Sequence, residues 1–166
     1  MKDQFGREIN YMRVSVTDRC NLRCGYCMPN GVPFIPHGEL LTYEEFLCII
    51  KQATVLGIDR FKITGGEPLV RRGCVDFIKR VKALPGVRQV TLTSNGQLLA
   101  QSLDELLDAG LDGVNISLDT LDEAKYRLLT GCADVSPKPL FALLRRCADG
   151  GLPAKINAVL LKENLD

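Results

Sequence analysis

The sequence predicts an α/β fold: about five parallel strands with outer helices, curved into an incomplete (βα) barrel. Strand-like and helix-like stretches alternate along nearly all of the 166 residues, which is the pattern of consecutive βαβ units. Each strand carries polar residues on one face and apolar residues on the other. Polar turn motifs follow the carboxyl ends of the first four strands, the end at which (βα) barrels build their sites.

The first strand is expected near 11–17, where Arg13, Ser15 and Thr17 share a face opposite Val14 and Val16. A helix near 43–56 has a readable start: Thr42 caps, Glu45 completes a capping box, and Leu41 is placed to staple onto Phe46. Its apolar stripe is Phe46, Ile49, Ile50, Ala53 and Leu56. The second strand, near 60–64, sets Lys62 and Thr64 against Phe61 and Ile63, and a helix near 73–84 follows. The third, near 88–93, sets Thr91 and Thr93 against Leu92, before a helix near 98–109. The fourth, near 113–118, puts Asn115 and Ser117, then Asp119, opposite Val114, Ile116 and Leu118. Helices near 122–129 and 139–150 lead to a fifth strand near 154–161, with Lys155 and Asn157 opposite Ile156 and Ala158. Gly57, Pro85-Gly86, Gly110 and Gly150-Gly151 stop four of the helices.

Parallel strands under helical crossovers are usually apolar on both faces. One-sided polarity therefore points to helices on the apolar side and a cavity on the other. An antiparallel sheet with one wet face gives the same alternation, but helices of about a dozen residues between strands exclude hairpins at most junctions.

Length and composition fit one domain, residues 1–166, with 46% hydrophobic residues to form a core. A net charge of +1 gives no global field to recruit nucleic acid or an anionic membrane, and small-molecule partners are expected. No apolar run is long enough to span a bilayer, and the start Met1-Lys2-Asp3-Gln4 lacks a signal-peptide core, so the expected compartment is the cytoplasm. Seven cysteines in a reducing compartment favour metal or redox use of some of them over a disulfide framework. Cys48, Cys74, Cys132 and Cys147 fall in helical patterns and read as small buried hydrophobes.

Cys20, Cys24 and Cys27 are different, because their Cys-x3-Cys-x2-Cys spacing puts three thiols within eight residues, where a strand breaks into loop. Structural zinc usually takes four protein ligands, whereas an iron–sulfur cube held by three thiolates leaves one iron open to a small molecule. The alternative is a zinc loop completed by a distant cysteine or by His37, the only histidine. Thr64-Gly65-Gly66-Glu67-Pro68 follows the second strand, and adjacent glycines there allow close approach to the backbone. Thr93-Ser94-Asn95-Gly96 follows the third strand, and Ser117-Leu118-Asp119 ends the fourth. Each of these is an ordinary turn or strand end when taken alone.

In order, the three-cysteine loop with an aromatic residue before its last cysteine, the Gly-Gly-Glu-Pro turn and the polar end of strand four resemble the radical S-adenosylmethionine (SAM) superfamily. The resemblance extends to the molybdenum-cofactor GTP 3′,8-cyclases within it. It is carried by Arg13 through Pro29 with Asp18-Arg19-Cys20-Asn21-Leu22-Arg23-Cys24-Gly25-Tyr26-Cys27-Met28-Pro29, by Ile63 through Arg72, by Leu92 through Gly96 and by Asn115 through Asp119.

What the resemblance implies is a partial (βα) barrel of the radical SAM type and one 4Fe-4S cluster on Cys20, Cys24 and Cys27. S-adenosylmethionine would chelate the open iron and be cleaved reductively to a 5′-deoxyadenosyl radical. It implies SAM contacts at Tyr26, Gly65, Gly66, Glu67 and Ser117, and GTP contacts at Arg13, Lys62, Thr93 and Lys155. It implies GTP as substrate, an electron donor, and a downstream enzyme that consumes the molybdopterin precursor. Position 62 departs from the family, where arginine is usual, so a bidentate phosphate contact becomes a point charge. The family also has a sixth strand and a C-terminal region with a second three-cysteine cluster, which these 166 residues do not contain. Two other readings share the cysteine loop: another radical SAM activity, such as peptide or haem modification, and a non-catalytic metal-binding domain.

Overall fold

The structure, a computed structural model, describes residues 2–28 and 33–165. Five strands, β1 (Tyr11–Ser15), β2 (Arg60–Thr64), β3 (Gln89–Ser94), β4 (Gly113–Ser117) and β5 (Ala154–Asn157), form one sheet in the order β1-β2-β3-β4-β5. All four pairings are parallel, with Arg13 opposite Lys62, Lys62 opposite Thr91, Thr93 opposite Asn115 and Asn115 opposite Lys155. The helices are α1 (Tyr43–Val55), α2 (Cys74–Lys82), α3 (Leu99–Asp108), α4 (Glu123–Thr130) and α5 (Lys138–Asp149). Sequential strand order with helical crossovers makes an open, partial (βα) barrel, as expected.

The alternation in the strands decides which face the helices cover. Val14, Phe61, Ile63, Val90, Leu92, Val114 and Ile116 are buried, while Arg13 and Ser15 are exposed and Lys62, Thr91, Thr93, Asn115 and Ser117 are half-buried. Against the apolar side, α2 lays Cys74, Phe77, Ile78 and Val81, one stripe at helical spacing. The Phe77 ring stacks on Tyr43 of α1 at 4.6 Å between centroids. Leu99, Leu103 and Leu106 of α3 and Leu140, Leu143 and Cys147 of α5 extend the same core. Burying each Leu or Ile of this set contributes roughly 1.5–3 kcal/mol.

The helix starts follow local chemistry. Thr42 and Glu45 form the expected capping box, with Glu45 N donating to Thr42 Oγ1 at 3.2 Å and Thr42 N to Glu45 Oε2 at 2.7 Å. Asp122 caps α4 by accepting from Lys125 N at 2.8 Å. Asp112, just before β4, accepts from Val90 N at 2.7 Å and from Lys82 Nζ at 2.5 Å, tying the end of α2 to the starts of β3 and β4.

Several expectations are corrected. The first strand ends at Ser15, two residues early, because Thr17 bonds locally, its hydroxyl accepting from Arg19 N and its carbonyl from Gly66 N, which starts the cysteine loop. The fifth ends at Asn157, and all four of its residues are exposed, Ile156 included, at an edge of the sheet. On α1 only Ile50 and Ala53 of the five-residue stripe are buried, while Ile49 and Leu56 face solvent. Cys48 is exposed and Cys132 lies half-buried beyond the end of α4, so only Cys74 and Cys147 behave as core residues. Pro29 and the His37 side chain lie outside the described residues. Among those described, no helix is long and apolar enough to cross a membrane.

Candidate active site

The site begins where β1 ends, and its loops are tied together by main-chain hydrogen bonds. Gly66 N donates to Thr17 O at 2.7 Å and Glu67 N to Arg19 O at 2.8 Å, so the Gly65-Gly66 turn lies directly under the cysteine loop. A Cβ on Gly65 would run into the Thr17 carbonyl and one on Gly66 into the Arg19 carbonyl. The room these glycines leave is therefore filled by the chain's own backbone. Arg71, from the turn after β2, donates to Val16 O and Leu41 O and lies over the Tyr43 ring at 4.4 Å, which fixes the end of β1 from the other side.

The far side of the loop rests on the carboxyl end of α4. Arg23 N donates to Thr130 O at 2.8 Å and Gly25 N to Leu129 O at 3.2 Å, so the cysteine loop caps carbonyls that a helix end leaves without partners. Cys132 Sγ reaches Asn21 O at 3.7 Å. Tyr26 donates from its hydroxyl to Asp119 Oδ2 at 2.8 Å, and the other Asp119 oxygen accepts from Val159 N at 2.9 Å. Asp119 thus joins the loop, the end of β4 and the segment after β5.

Cys20, Cys24 and Cys27 carry free thiols and line one cavity of about 300 Å³ with Ser15, Thr17, Asp18, Gly65 and Gly66. Burial raises the Cys20 thiol pKa, against the pull of the Leu22 N–H, whose nitrogen is 3.3 Å from the sulfur. Cys24 is pushed up to about 11, by burial first and then by the charges of Cys20, Asp119 and Cys27. The polypeptide alone therefore keeps Cys20 and Cys24 protonated at neutral pH, and a bound cation has to drive off their protons.

Unpaired thiols and N–H donors directed at sulfur suit a soft, thiolate-ligated iron centre in their donor chemistry. Among the described residues no three His, Cys, Asp or Glu side chains already stand as a metal-ligand group. The thiols are donors in place, not a finished ligand set.

Glu67 is fully buried, and among the described residues its hydrogen-bond donors are backbone N–H groups and a hydroxyl. Its Oε1 accepts from Leu69 N at 3.2 Å, its Oε2 from Asn95 N at 2.7 Å, and Ser94 Oγ lies 3.0 and 3.1 Å from the two oxygens. Burial still raises its pKa.

Residues 14–166 match the family described as the Radical SAM superfamily. The chain belongs to the radical SAM superfamily. GTP 3′,8-cyclases of Geobacter sulfurreducens and Thermodesulfovibrio yellowstonii are 47% and 46% identical to it over 161 and 165 residues. These matches cover 96% and 98% of this chain and 49% and 51% of theirs, so the chain spans about half the length of the curated relatives it matches. Among solved structures, Streptococcus suis SuiB bound to precursor peptide SuiA superposes with a TM-score of 0.75 at 24% identity, covering 92% of this chain and 33% of its own. The structure of anSMEcpe with bound AdoMet gives 0.68 at 17% identity, covering 89% and 43%. At these identities the likeness to both structures is one of fold.

On the polar face of this radical SAM sheet, Lys62 and Lys155 line a second cavity of about 320 Å³ with Thr91 and Asn115. Burial lowers the Lys62 pKa, and the charges of Arg13 and Lys155 lower it further, which places three cations near one another. Thr93 and Ser117 lie on the same face toward the carboxyl ends of β3 and β4. Tyr26 does not line the thiol cavity; it borders a separate one with Leu128, Leu129 and Leu161.

Sequence reasoning left out Asn95, Asp119 and Gly131. Asn95-Gly96 was visible only as a turn signal, Asp119 only as the polar end of a strand, and Gly131 not at all, although it closes α4 in the left-handed conformation at φ 65°.

Proposed function

We propose that the chain is the cluster- and cosubstrate-binding part of a radical SAM GTP 3′,8-cyclase, a lyase that in full-length form converts GTP to 3′,8-cyclo-7,8-dihydro-GTP for molybdenum cofactor biosynthesis. The observation that carries this reading is the meeting of Cys20, Cys24, Cys27, Gly65 and Gly66 around one cavity. Its support in sequence is 43–47% identity to curated GTP 3′,8-cyclases over nearly the whole chain.

Cys20, Cys24 and Cys27 would hold a 4Fe-4S cluster through three thiolates, leaving one iron for the amino and carboxylate groups of S-adenosylmethionine. A cluster held there would pass one electron from a low-potential donor to the cosubstrate's sulfonium, giving methionine and a 5′-deoxyadenosyl radical. Gly65 and Gly66, in the turn that Glu67 anchors, would contact the cosubstrate from within the thiol cavity, and Tyr26 and Ser117 would contact it from beside that cavity. Arg13, Lys62 and Lys155 offer a triphosphate three cations, and Thr93 adds a hydroxyl on the same face. Holding the ribose close to the radical source is the main contribution the sheet makes to catalysis. The setting that goes with this reading is cytoplasmic, with a low-potential one-electron donor upstream and a molybdopterin-precursor enzyme downstream.

The test is transfer of label. Reconstituted protein, S-adenosylmethionine, dithionite and ribose-deuterated GTP should give deuterated 5′-deoxyadenosine. Unlabelled 5′-deoxyadenosine formed at the same rate with and without GTP would overturn the substrate assignment and favour another radical SAM activity.

A further inference from the structure

We propose that Asn95 is a positioning residue that donates an N–H to the Cys20 sulfur and so raises the reduction potential of an iron–sulfur cluster held there. The proposal rests on the reading above that Cys20, Cys24 and Cys27 hold such a cluster.

Asn95 Nδ2 lies 3.7 Å from Cys20 Sγ and 2.8 Å from Asn21 Oδ1. A carboxamide nitrogen carries two hydrogens, so both contacts are made together. Its orientation is set by the other end of the group, because Asn95 Oδ1 accepts from Gln97 N at 3.0 Å and the nitrogen must then face the cysteine loop. With Leu22 N at 3.3 Å, the Cys20 sulfur receives one donor from its own loop and one from the loop after β3.

The backbone of Asn95 is held as firmly as its side chain. Asn95 N donates to the buried Glu67 carboxylate at 2.7 Å. Ser94 Oγ bonds the same carboxylate and accepts from Gly96 N at 3.0 Å. The turn that bears Glu67 is the one hydrogen-bonded to Thr17 and Arg19 beneath the cysteine loop. Three loops thus form a closed circuit of hydrogen bonds, and the Asn95 amide dipole is fixed toward one sulfur.

A donor aimed at a thiolate stabilises negative charge on it. One-electron reduction by a low-potential donor adds negative charge to the iron–sulfur unit, so the Asn95 N–H favours the reduced form more than the oxidised one and moves the potential upward.

The experiment is a redox titration of the anaerobically reconstituted protein, followed by electron paramagnetic resonance of the reduced cluster, with iron and sulfide measured per chain. Asn95→Asp keeps the acceptor for Gln97 N and removes the donor; Asn95→Ser removes the donor without adding charge. Asn21→Ala breaks the tie between the loops and leaves the amide free to face the sulfur. Both Asn95 variants should carry wild-type iron and titrate at a more negative potential, Asn95→Asp further than Asn95→Ser, while Asn21→Ala titrates with the wild type. For Asn95→Ser, a tenfold drop in the reduced-to-oxidised ratio at fixed poise corresponds to about 59 mV.

Unchanged potentials in both Asn95 variants at equal iron content would overturn the proposal. So would an Asn21→Ala shift as large as that of Asn95→Ser, or a loss of iron confined to the Asn95 variants, since either marks the residue as a structural tie. A wild-type protein that takes up no cluster would overturn the underlying reading together with this one, whereas a loaded wild type with unmoved variants sinks this one alone.

Discussion

Gly131 sits so close to Arg23 that a Cβ on it would lie 2.5 Å from the Arg23 carbonyl oxygen. The residue also ends α4 at φ 65°, where side chains are strained, and the two preceding carbonyls, those of Leu129 and Thr130, accept from Gly25 N and Arg23 N. Helix end and cysteine loop are therefore built against one another. Gly131→Ala should lower stability by on the order of 1–3 kcal/mol and reduce the iron retained per chain after reconstitution. Thermal unfolding with iron analysis checks both effects.

Glu67 anchors the loops from below. Each of its oxygens accepts from a different backbone N–H, so Glu67→Gln must leave either Leu69 N or Asn95 N facing an amide nitrogen. A buried donor without an acceptor costs roughly 1–3 kcal/mol, and urea unfolding at neutral pH should show a loss of that size. The pH dependence has a definite sign. Because burial raises the folded-state pKa of Glu67 above the ordinary 4.5, the folded protein binds the proton first. The wild type should therefore gain stability relative to Glu67→Gln as pH falls through the raised pKa, with the gain levelling off below the ordinary one.

The roles proposed for the thiol cavity and for the cations of the polar face separate in mutants. Cys24→Ser should abolish iron–sulfide absorbance and all 5′-deoxyadenosine formation. Arg13→Ala, on the exposed polar side of β1, should spare cosubstrate cleavage and weaken GTP binding about tenfold, the effect of losing one charge-assisted contact of roughly 1.4 kcal/mol. Equal loss of both activities in both variants would contradict the separation.

Lys62 crowds two other cations, and its own pKa is lowered by burial and by Arg13 and Lys155. Lys62→Met should raise stability slightly, because solvent screens most of the repulsion at this partly exposed site, while weakening GTP binding. Lys62→Arg, which restores a fork able to grip phosphate at two points, should tighten GTP binding severalfold. Calorimetry on the three proteins measures both quantities.

The strands and helices were legible because period-two polarity and helix punctuation are local signals. Thr42 with Glu45, or Lys62 between Phe61 and Ile63, carries its meaning within a few residues. Burial was less legible where it depends on what packs across a gap. Ile156 sits in an apolar position of its strand yet is exposed at the sheet edge, and Ile49 continues the apolar stripe of α1 yet faces solvent. The three thiols and the Gly65-Gly66 turn could be assigned to one site by their order after successive strands. The link from Asn95 to Cys20 could not, since it joins residues 75 apart through a side-chain orientation that only Gln97 and Glu67 determine. Nor could the packing of Gly131 on Arg23, because a helix-stopping glycine looks the same in sequence whether or not a loop lies against it.

The most direct measurement combines iron and sulfide content with cosubstrate cleavage in protein reconstituted without oxygen. A 4Fe-4S cluster on Cys20, Cys24 and Cys27 should bring about four irons and four sulfides per chain and yield 5′-deoxyadenosine and methionine on reduction with S-adenosylmethionine. Protein that stays colourless, or that binds zinc and forms no 5′-deoxyadenosine, would contradict the assignment of the three thiols to a catalytic iron–sulfur site.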